Sequence, residues 1–396
     1  MSVRSVRDLD VRSKRVLVRE DLNVPMNGGR IADATRIDAA IPTLALLRER
    51  GARTIVVSHL GRPEGKPDAA LSLRPLVPAL SERLGTTVAF ADDCVGGAAE
   101  EAVAKLRDGD VLLLENVRFH SGEERNDPEF ARRLGSLADL YVNDAFGTAH
   151  RAHASTEGVA HLLPAAAGLL MEAELHALAR LLDRPDRPFV CVIGGAKVQD
   201  KIGVFTHLME RVDAFCIGGG MANTFLAALG VEVGRSLRDP DPDPARQILA
   251  LAKRHAVDVH LPSDAVVAPS LEAAGAHTVA VGAVPKDASI FDIGPATAHA
   301  YAGAIETAKT IVFNGPMGVY ENPRYRQGTQ AIGEAIAAAT ARGAFSVVGG
   351  GDAAAAAHLL GFAGEVSHVS TGGGATLEFL EGKTLPGVAA LDTPDS

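Results

Sequence analysis

The chain contains no tryptophan, four tyrosines and an aromatic fraction of only 4% across 396 residues. A β-sandwich takes much of its core volume from aromatic side chains, so this scarcity argues against one. The 41 glycines instead suit an α/β enzyme with many tight strand-to-loop turns. Cysteine is nearly as rare. Cys94, Cys191 and Cys216 form an odd, sparse set without a CxxC or a Cys/His cluster, two of them inside apolar strand-like runs. A disulfide scaffold is excluded, and the three read as reduced core residues of a cytosolic protein that hold no metal. No apolar run approaches the ~18 residues that cross a bilayer, and the opening MSVRSVRDLDVRSKR lacks the apolar stretch of a secretory leader. A basic excess is missing too. The net charge is −10, which speaks against a nucleic-acid backbone binder.

What is present is a chain of 47% hydrophobic and 22% charged residues with mean hydropathy +0.11, neither disordered nor fibrous. Its length favours two domains. Residues 1–170 carry 22 Lys+Arg against 24 Asp+Glu, whereas residues 171–396 carry 17 against 25. An Arg-rich site for an anionic small molecule is therefore expected in the first part.

Short apolar runs alternate with amphipathic stretches. Strands are expected at Arg15–Arg19, Thr54–Ser58, Thr87–Phe90, Val111–Leu114 and Leu140–Asn143, then at Phe189–Ile193, Ala214–Ile217, Val257–Leu261, Thr278–Val281, Thr310–Phe313, Phe345–Val348 and His368–Val369. Helical stretches such as Asp38–Gly51 and Ala331–Gly343 lie between them, so the pattern predicts two doubly wound parallel sheets. A helix over residues 171–184 separates an N-terminal domain, 1–170, from a C-terminal one, 185–396.

Ligands of such sheets bind beyond the carboxyl ends of the strands. In the first half those ends read Arg19-Glu-Asp-Leu-Asn-Val-Pro25, Ser58-His-Leu-Gly-Arg-Pro63, Glu115-Asn-Val-Arg-Phe-His120 and Asn143-Asp-Ala-Phe-Gly-Thr-Ala-His-Arg-Ala-His153. Any single arginine here reads as a solvated loop charge. The convergence of Arg19, Arg36, His59, Arg62, Arg118 and Arg151 on one sheet edge describes a pocket for a small phosphate-bearing acid, with Asp21 and Asn23 suited to its hydroxyl. In the second half the strand ends deliver glycine: Gly194-Gly-Ala-Lys197, Gly218-Gly-Gly-Met221, Asn314-Gly-Pro-Met-Gly318, Gly349-Gly-Gly-Asp352 and Ser370-Thr-Gly-Gly-Gly374. Such turns entering helices form backbone N–H nests for phosphate. Lys197 and Lys201 are expected on one helix face, which an anion would stabilise. Asp352 reads as a Mg²⁺ ligand or as a helix cap. A dinucleotide reading of Gly349-Gly-Gly-Asp-Ala-Ala354 lacks its acidic partner after a second strand. A non-catalytic phosphometabolite-binding protein stays open on the residues alone.

Taken together, the strings REDLNVP, SHLGRP, LENVRFH, NDAFGTAHRAHAS, GGAKVQDKI, GGGMANTF, DIGP, FNGPMGVYE, GGGD and HVSTGGGATLEFLEGK resemble the phosphoglycerate kinase family, in order and over nearly the whole chain. The resemblance implies two Rossmann-like lobes joined by a hinge helix, with the last ~20 residues packing back on the N-terminal lobe. It implies Mg²⁺-dependent, reversible phosphoryl transfer from 1,3-bisphosphoglycerate to ADP by a cytoplasmic monomer, without nucleic-acid or membrane partners. Asp21, Leu22, Asn23, Arg36, His59, Leu60, Gly61, Arg62, Arg118 and Arg151 would hold the phosphoglycerate. Lys201, Ile290, Asn314, Glu321, Gly350, Gly351, Asp352 and Ala353 would hold the nucleotide, Asp352 sharing Mg²⁺ with its phosphates. Arg36, Lys197, Gly372 and Gly373 would steady the phosphoryl group. The chain departs from the family at Ala353, where a Ser or Thr is usual and a Ser would be expected to fit, and at Ile290, Phe313 and Ala296.

Overall fold

The computed structural model describes residues 3–391. In chain order its strands are β1 (Arg15–Arg19), β2 (Met26–Asn27), β3 (Arg30–Ile31), β4 (Arg53–Val57), β5 (Val88–Ala91), β6 (Val111–Leu114), β7 (Leu140–Asn143) and β8 (Ala165–Ala167). They continue as β9 (Phe189–Ile193), β10 (Ala214–Ile217), β11 (Asp258–His260), β12 (Asp264–Ala268), β13 (His277–Ala280), β14 (Ser289–Ile293), β15 (Thr310–Asn314), β16 (Phe345–Val348) and β17 (His368–Val369). Of the described residues, those up to Leu175 and those from Thr384 form one compact unit, and His176–Lys383 form the other. The division falls inside the helix Leu169–Leu182. In the first unit Gly387 N donates to Ala149 O (2.9 Å), and Val388 is buried.

The first unit holds a six-stranded sheet in the order β5-β6-β4-β1-β7-β8, parallel throughout. Val16, Leu17 and Val18 are fully buried, as are Ile55, Val56 and Val57. Consecutive apolar residues demand cover on both faces, which a parallel sheet clothed in helices supplies. The second unit repeats the plan in the order β11-β10-β9-β15-β16-β17, again parallel. In each sheet the order reverses beside a central strand, β1 next to β7 and β9 next to β15. These are the topological switch points where α/β sheets open a crevice.

The expectation of parallel pairing throughout fails at two places, the β2–β3 hairpin and a three-stranded sheet in the second unit. β13, expected at Thr278–Val281, lies in a three-stranded antiparallel sheet, β13-β12-β14. Its partners β12 and β14 were not expected as strands. β12 opens on the charged Asp264, and neither segment shows the long apolar run of a parallel core strand. The short β2–β3 hairpin and the all-alanine β8 also carry almost no strand signal of their own.

Candidate active site

Four strand ends of the first sheet converge as their spacing suggested. Arg36 Nη1 donates to Asp21 Oδ2 (2.7 Å), Gly61 N donates to Asn23 Oδ1 (2.9 Å), and Arg118 Nη1 donates to Gly61 O (2.9 Å). Arg36 is half-buried, as is Arg151, which reaches His150 Nε2 (3.2 Å), while Arg62 is exposed. Leu22 and Leu60 turn their side chains into the hydrophobic core, so only their backbone can meet a ligand. Leu22 N already donates to Ser58 Oγ (2.9 Å), and Leu60 O accepts from Asn116 Nδ2 (2.8 Å).

Beneath these residues lies a buried charge cluster. Arg19 is 1% exposed, and its guanidinium donates to Ser155 Oγ (2.8 Å), to Glu20 O and to His59 Nδ1 (3.0 Å). A guanidinium has no acceptor, so His59 Nδ1 must accept, and the imidazole proton sits on Nε2. Burial, then the positive charges of Arg19, Arg118, Arg36 and Arg151, push His59 well below its ordinary value and keep it neutral. Arg118 is 3% exposed; its Nε lies 3.3 Å from Glu124 Oε1, and its Nη2 is buried with no hydrogen-bond partner. A buried donor left open near the positive charges of Arg151 and Arg19 asks for an anionic acceptor. Glu20 is buried with both carboxyl oxygens unpartnered, and burial followed by the charge of Asp144 raises its pKa strongly. Burial thus favours its uncharged form.

Sequence reasoning passed over Glu123 and Ser155. Glu123 is fully buried and accepts from Ser155 N (2.9 Å) and Ser155 Oγ (2.6 Å), while the same hydroxyl serves Arg19. Hydroxyl and carboxylate stand 32 residues apart in the chain, so no local spacing announces the pair.

In the second unit the backbone does most of the work. A cavity of about 540 Å³ is lined by Gly195, Gly219, Gly220, Ile290, Glu321 and Asp352, among others. Its walls tolerate no side chain at key points. A Cβ on Gly318 would lie 2.3 Å from Asp292 Oδ1, and Gly219 has φ +65° with Gly195 N 2.7 Å from such an atom. Lys201 spans the switch point, Nζ donating to Gly194 O (2.7 Å) at the end of β9 and to Asn314 O (2.6 Å) at the end of β15. Burial lowers its pKa to about 8. Asn314 Nδ2 donates to Gly349 O (2.7 Å), and its Oδ1 is buried without a partner. Gly350, with φ +98°, leads into the helix Gly351–Leu359, whose first turn carries the exposed Asp352. Gly372 N donates to Ser370 Oγ (3.1 Å), and Gly373 precedes the helix Gly374–Leu380.

Two expectations need correction here. Lys197 and Lys201 do not share a helix face. Lys197 is exposed in the loop ahead of the helical turn Gln199–Lys201, whereas Lys201 folds inward onto carbonyls. Ala353 does not face solvent or a ligand. Its methyl is 1% exposed and packs in the hydrophobic core with Phe313, Ala357 and Phe362.

Residues 6–383 match the sequence profile described as phosphoglycerate kinase. Among similar proteins, the phosphoglycerate kinase of Moorella thermoacetica is 55% identical over 393 residues, covering 99% of each chain. That of Thermomicrobium roseum is 55% identical over 391 residues, 98% of this chain and 99% of its own. Among solved structures, the phosphoglycerate kinase of Coxiella burnetii is 43% identical with TM-score 0.90, over 98% of this chain and 99% of its own. That of Pyrococcus horikoshii is 34% identical with TM-score 0.85, over 98% of both.

Proposed function

Because the chain belongs to the phosphoglycerate kinase family, and so is a phosphotransferase with a carboxyl group as acceptor, we propose that its two switch points divide the reaction between them. The first unit holds 3-phosphoglycerate or 1,3-bisphosphoglycerate through Arg36, His59, Arg62, Arg118 and Arg151, with Asp21 and Asn23 on its hydroxyl. The observation that carries this reading is Arg118 Nη2, a buried cationic donor with no protein partner. The backbone of Leu22, Leu60 and Gly61 completes the cradle. The second unit holds ADP or ATP in the cavity lined by Ile290, Glu321 and Asp352, with Gly350, Gly351 and Lys201 at the phosphates. Asn314 keeps the β15 end in place through Gly349, and Ala353 serves by packing.

Phosphoryl transfer needs no protein nucleophile; it needs alignment, neutralised charge and exclusion of water. Arg36 and Lys197 supply positive charge, and the amides near Gly372 and Gly373 supply donors. The exposed carboxylate of Asp352, a hard oxygen donor at the cavity wall, fits Mg²⁺, which takes one or two carboxylates together with substrate phosphates. When bound, Mg²⁺ neutralises phosphate charge. Closure about the helix Leu169–Leu182 belongs to this proposal, because donor and acceptor must be brought into line.

The protein is read as a cytosolic monomer acting on small molecules; its net charge of −10 opposes nucleic-acid binding. Among the described residues, no helix is long and apolar enough to cross a membrane. A dehydrogenase-coupled assay with 3-phosphoglycerate and ATP tests the assignment. NADH loss should stop on chelation and return with Mg²⁺; activity that persists in chelator would remove Asp352 and its cation from the mechanism.

A further inference from the structure

The fold assembles a group of metal-ligating side chains that the sequence kept apart. Asp93 and Cys94 follow β5, and His120 ends the turn after β6, 26 residues beyond Cys94. One ligand atom from each of the three lies within 4.8 Å of the others. We propose that Asp93, Cys94 and His120 form a binding site for Zn²⁺ or a similar borderline-soft divalent cation, separate from the Mg²⁺ role assigned to Asp352.

Three features support the site. First, the donors are pre-positioned. Asp93 Oδ1 accepts from Cys94 N (2.6 Å) and lies 2.6 Å from His120 Nε2, and the imidazole is stacked on Phe130 with centroids 5.2 Å apart. A cation at about 2.0–2.3 Å from each donor needs them within roughly 4 Å of one another, so small side-chain rotations suffice. Second, Asp93 and His120 face a cavity of about 660 Å³, whose wall also carries Asp68, Asp92, Glu115 and Arg74. Arg74 is paired with Asp92, and Glu115 is engaged by Ser72 Oγ (2.6 Å) and Leu73 N (2.8 Å), so the surplus charge is negative. Third, the set mixes sulfur, nitrogen and oxygen with a fourth direction open to the cavity. Three protein ligands and one exchangeable position suit zinc, and the thiol disfavours Mg²⁺ or Ca²⁺, which take oxygen. The expectation that the cysteines hold no metal rested on spacing along the chain, which does not register the closeness of Cys94 to His120 in the fold.

The test is a Co²⁺ titration of the full chain followed by optical spectroscopy, with displacement by Zn²⁺. One equivalent should bind with a thiolate-to-cobalt charge-transfer band. Cys94→Ala should abolish that band and weaken Zn²⁺ by more than the ~10–100-fold that losing an outer-shell partner costs. Cys191→Ala and Cys216→Ala should leave it intact. Asp93→Asn keeps an oxygen that can accept from Cys94 N; it should weaken Zn²⁺ while retaining the band, which guards against a folding defect in the alanine variant. No saturable binding to the wild-type protein, or a band that survives Cys94→Ala, would overturn the site.

Discussion

At the strand ends of the first unit stand Arg19, His59 and Arg118, each at most 3% exposed, whereas those of the second present Gly194, Gly315 and Gly349 with Lys201 folded across them. The same doubly wound frame thus carries two kinds of cradle. Buried side chains make a cradle selective and stiff, but each desolvated charge needs a partner; Ser155 and Glu123 supply it beneath Arg19, and on the proposed reading a ligand supplies it to Arg118. Backbone amides at glycine turns make a cradle that approaches closely and carries little charge of its own. In the second unit the charge comes from Lys201 and, on the proposed reading, from Mg²⁺.

The largest expected effect breaks the first cradle at Arg36, which Asp21 holds in place. Arg36→Ala should lower kcat by about 10²–10³, the usual cost of removing a preorganised donor to developing charge. A rise in KM with kcat near wild type would reduce Arg36 to a ground-state contact. Next comes the cation of the second cradle. Lys201→Ala leaves Gly194 O and Asn314 O without their shared donor, and each hydrogen bond to a charged group contributes about 1.5–3 kcal/mol. Denaturant unfolding should show a loss of at least about 1.5 kcal/mol alongside weaker ADP binding. Unchanged stability would mean that the switch point does not depend on the ammonium.

Smaller again is Ala353→Ser. A hydroxyl placed among Phe313, Ala357 and Phe362 should cost about 1 kcal/mol, and calorimetry should find no tighter ADP binding. Tighter binding would return this position to the phosphates. A further difference concerns pH. Burial holds Asp144, in the first unit, at about 6 against an ordinary 3.8. A carboxyl whose folded value is raised favours the folded state at low pH, and that contribution is lost as pH climbs from about 4 to about 6. Asp144→Asn should flatten the stability profile across this window, and a profile unchanged by the substitution would locate the titration elsewhere.

The two cradles were unequally legible in the sequence. β1, β6, β7, β9, β10 and β16 occupy the residues that apolar runs marked, because a strand buried on both faces writes itself as consecutive Val, Ile and Leu. Arg118 and the glycine turns stood out because they follow strand ends, whereas Arg36 lies in the first turn of the helix Thr35–Glu49. The antiparallel β12–β14 sheet was not visible, since Asp264 and Asp292 interrupt the apolar pattern of β12 and β14, and β13 is largely exposed. Nor was the inward turn of Ala353 and Lys201, because a residue's side of a helix or loop is decided by packing from other elements, Phe313 and Phe362 for Ala353 and Asn314 for Lys201. The partnership of Glu123, Ser155 and Arg19 is tertiary in the same sense.

The division of labour between a side-chain cradle and a backbone cradle is tested most directly by calorimetric titration of 3-phosphoglycerate and of ADP, each alone, into Arg118→Ala and Lys201→Ala. Arg118→Ala should lose affinity for 3-phosphoglycerate and keep that for ADP, and Lys201→Ala should do the reverse. Loss of the other ligand in either variant, or equal loss of both, would contradict the assignment of one ligand to each unit.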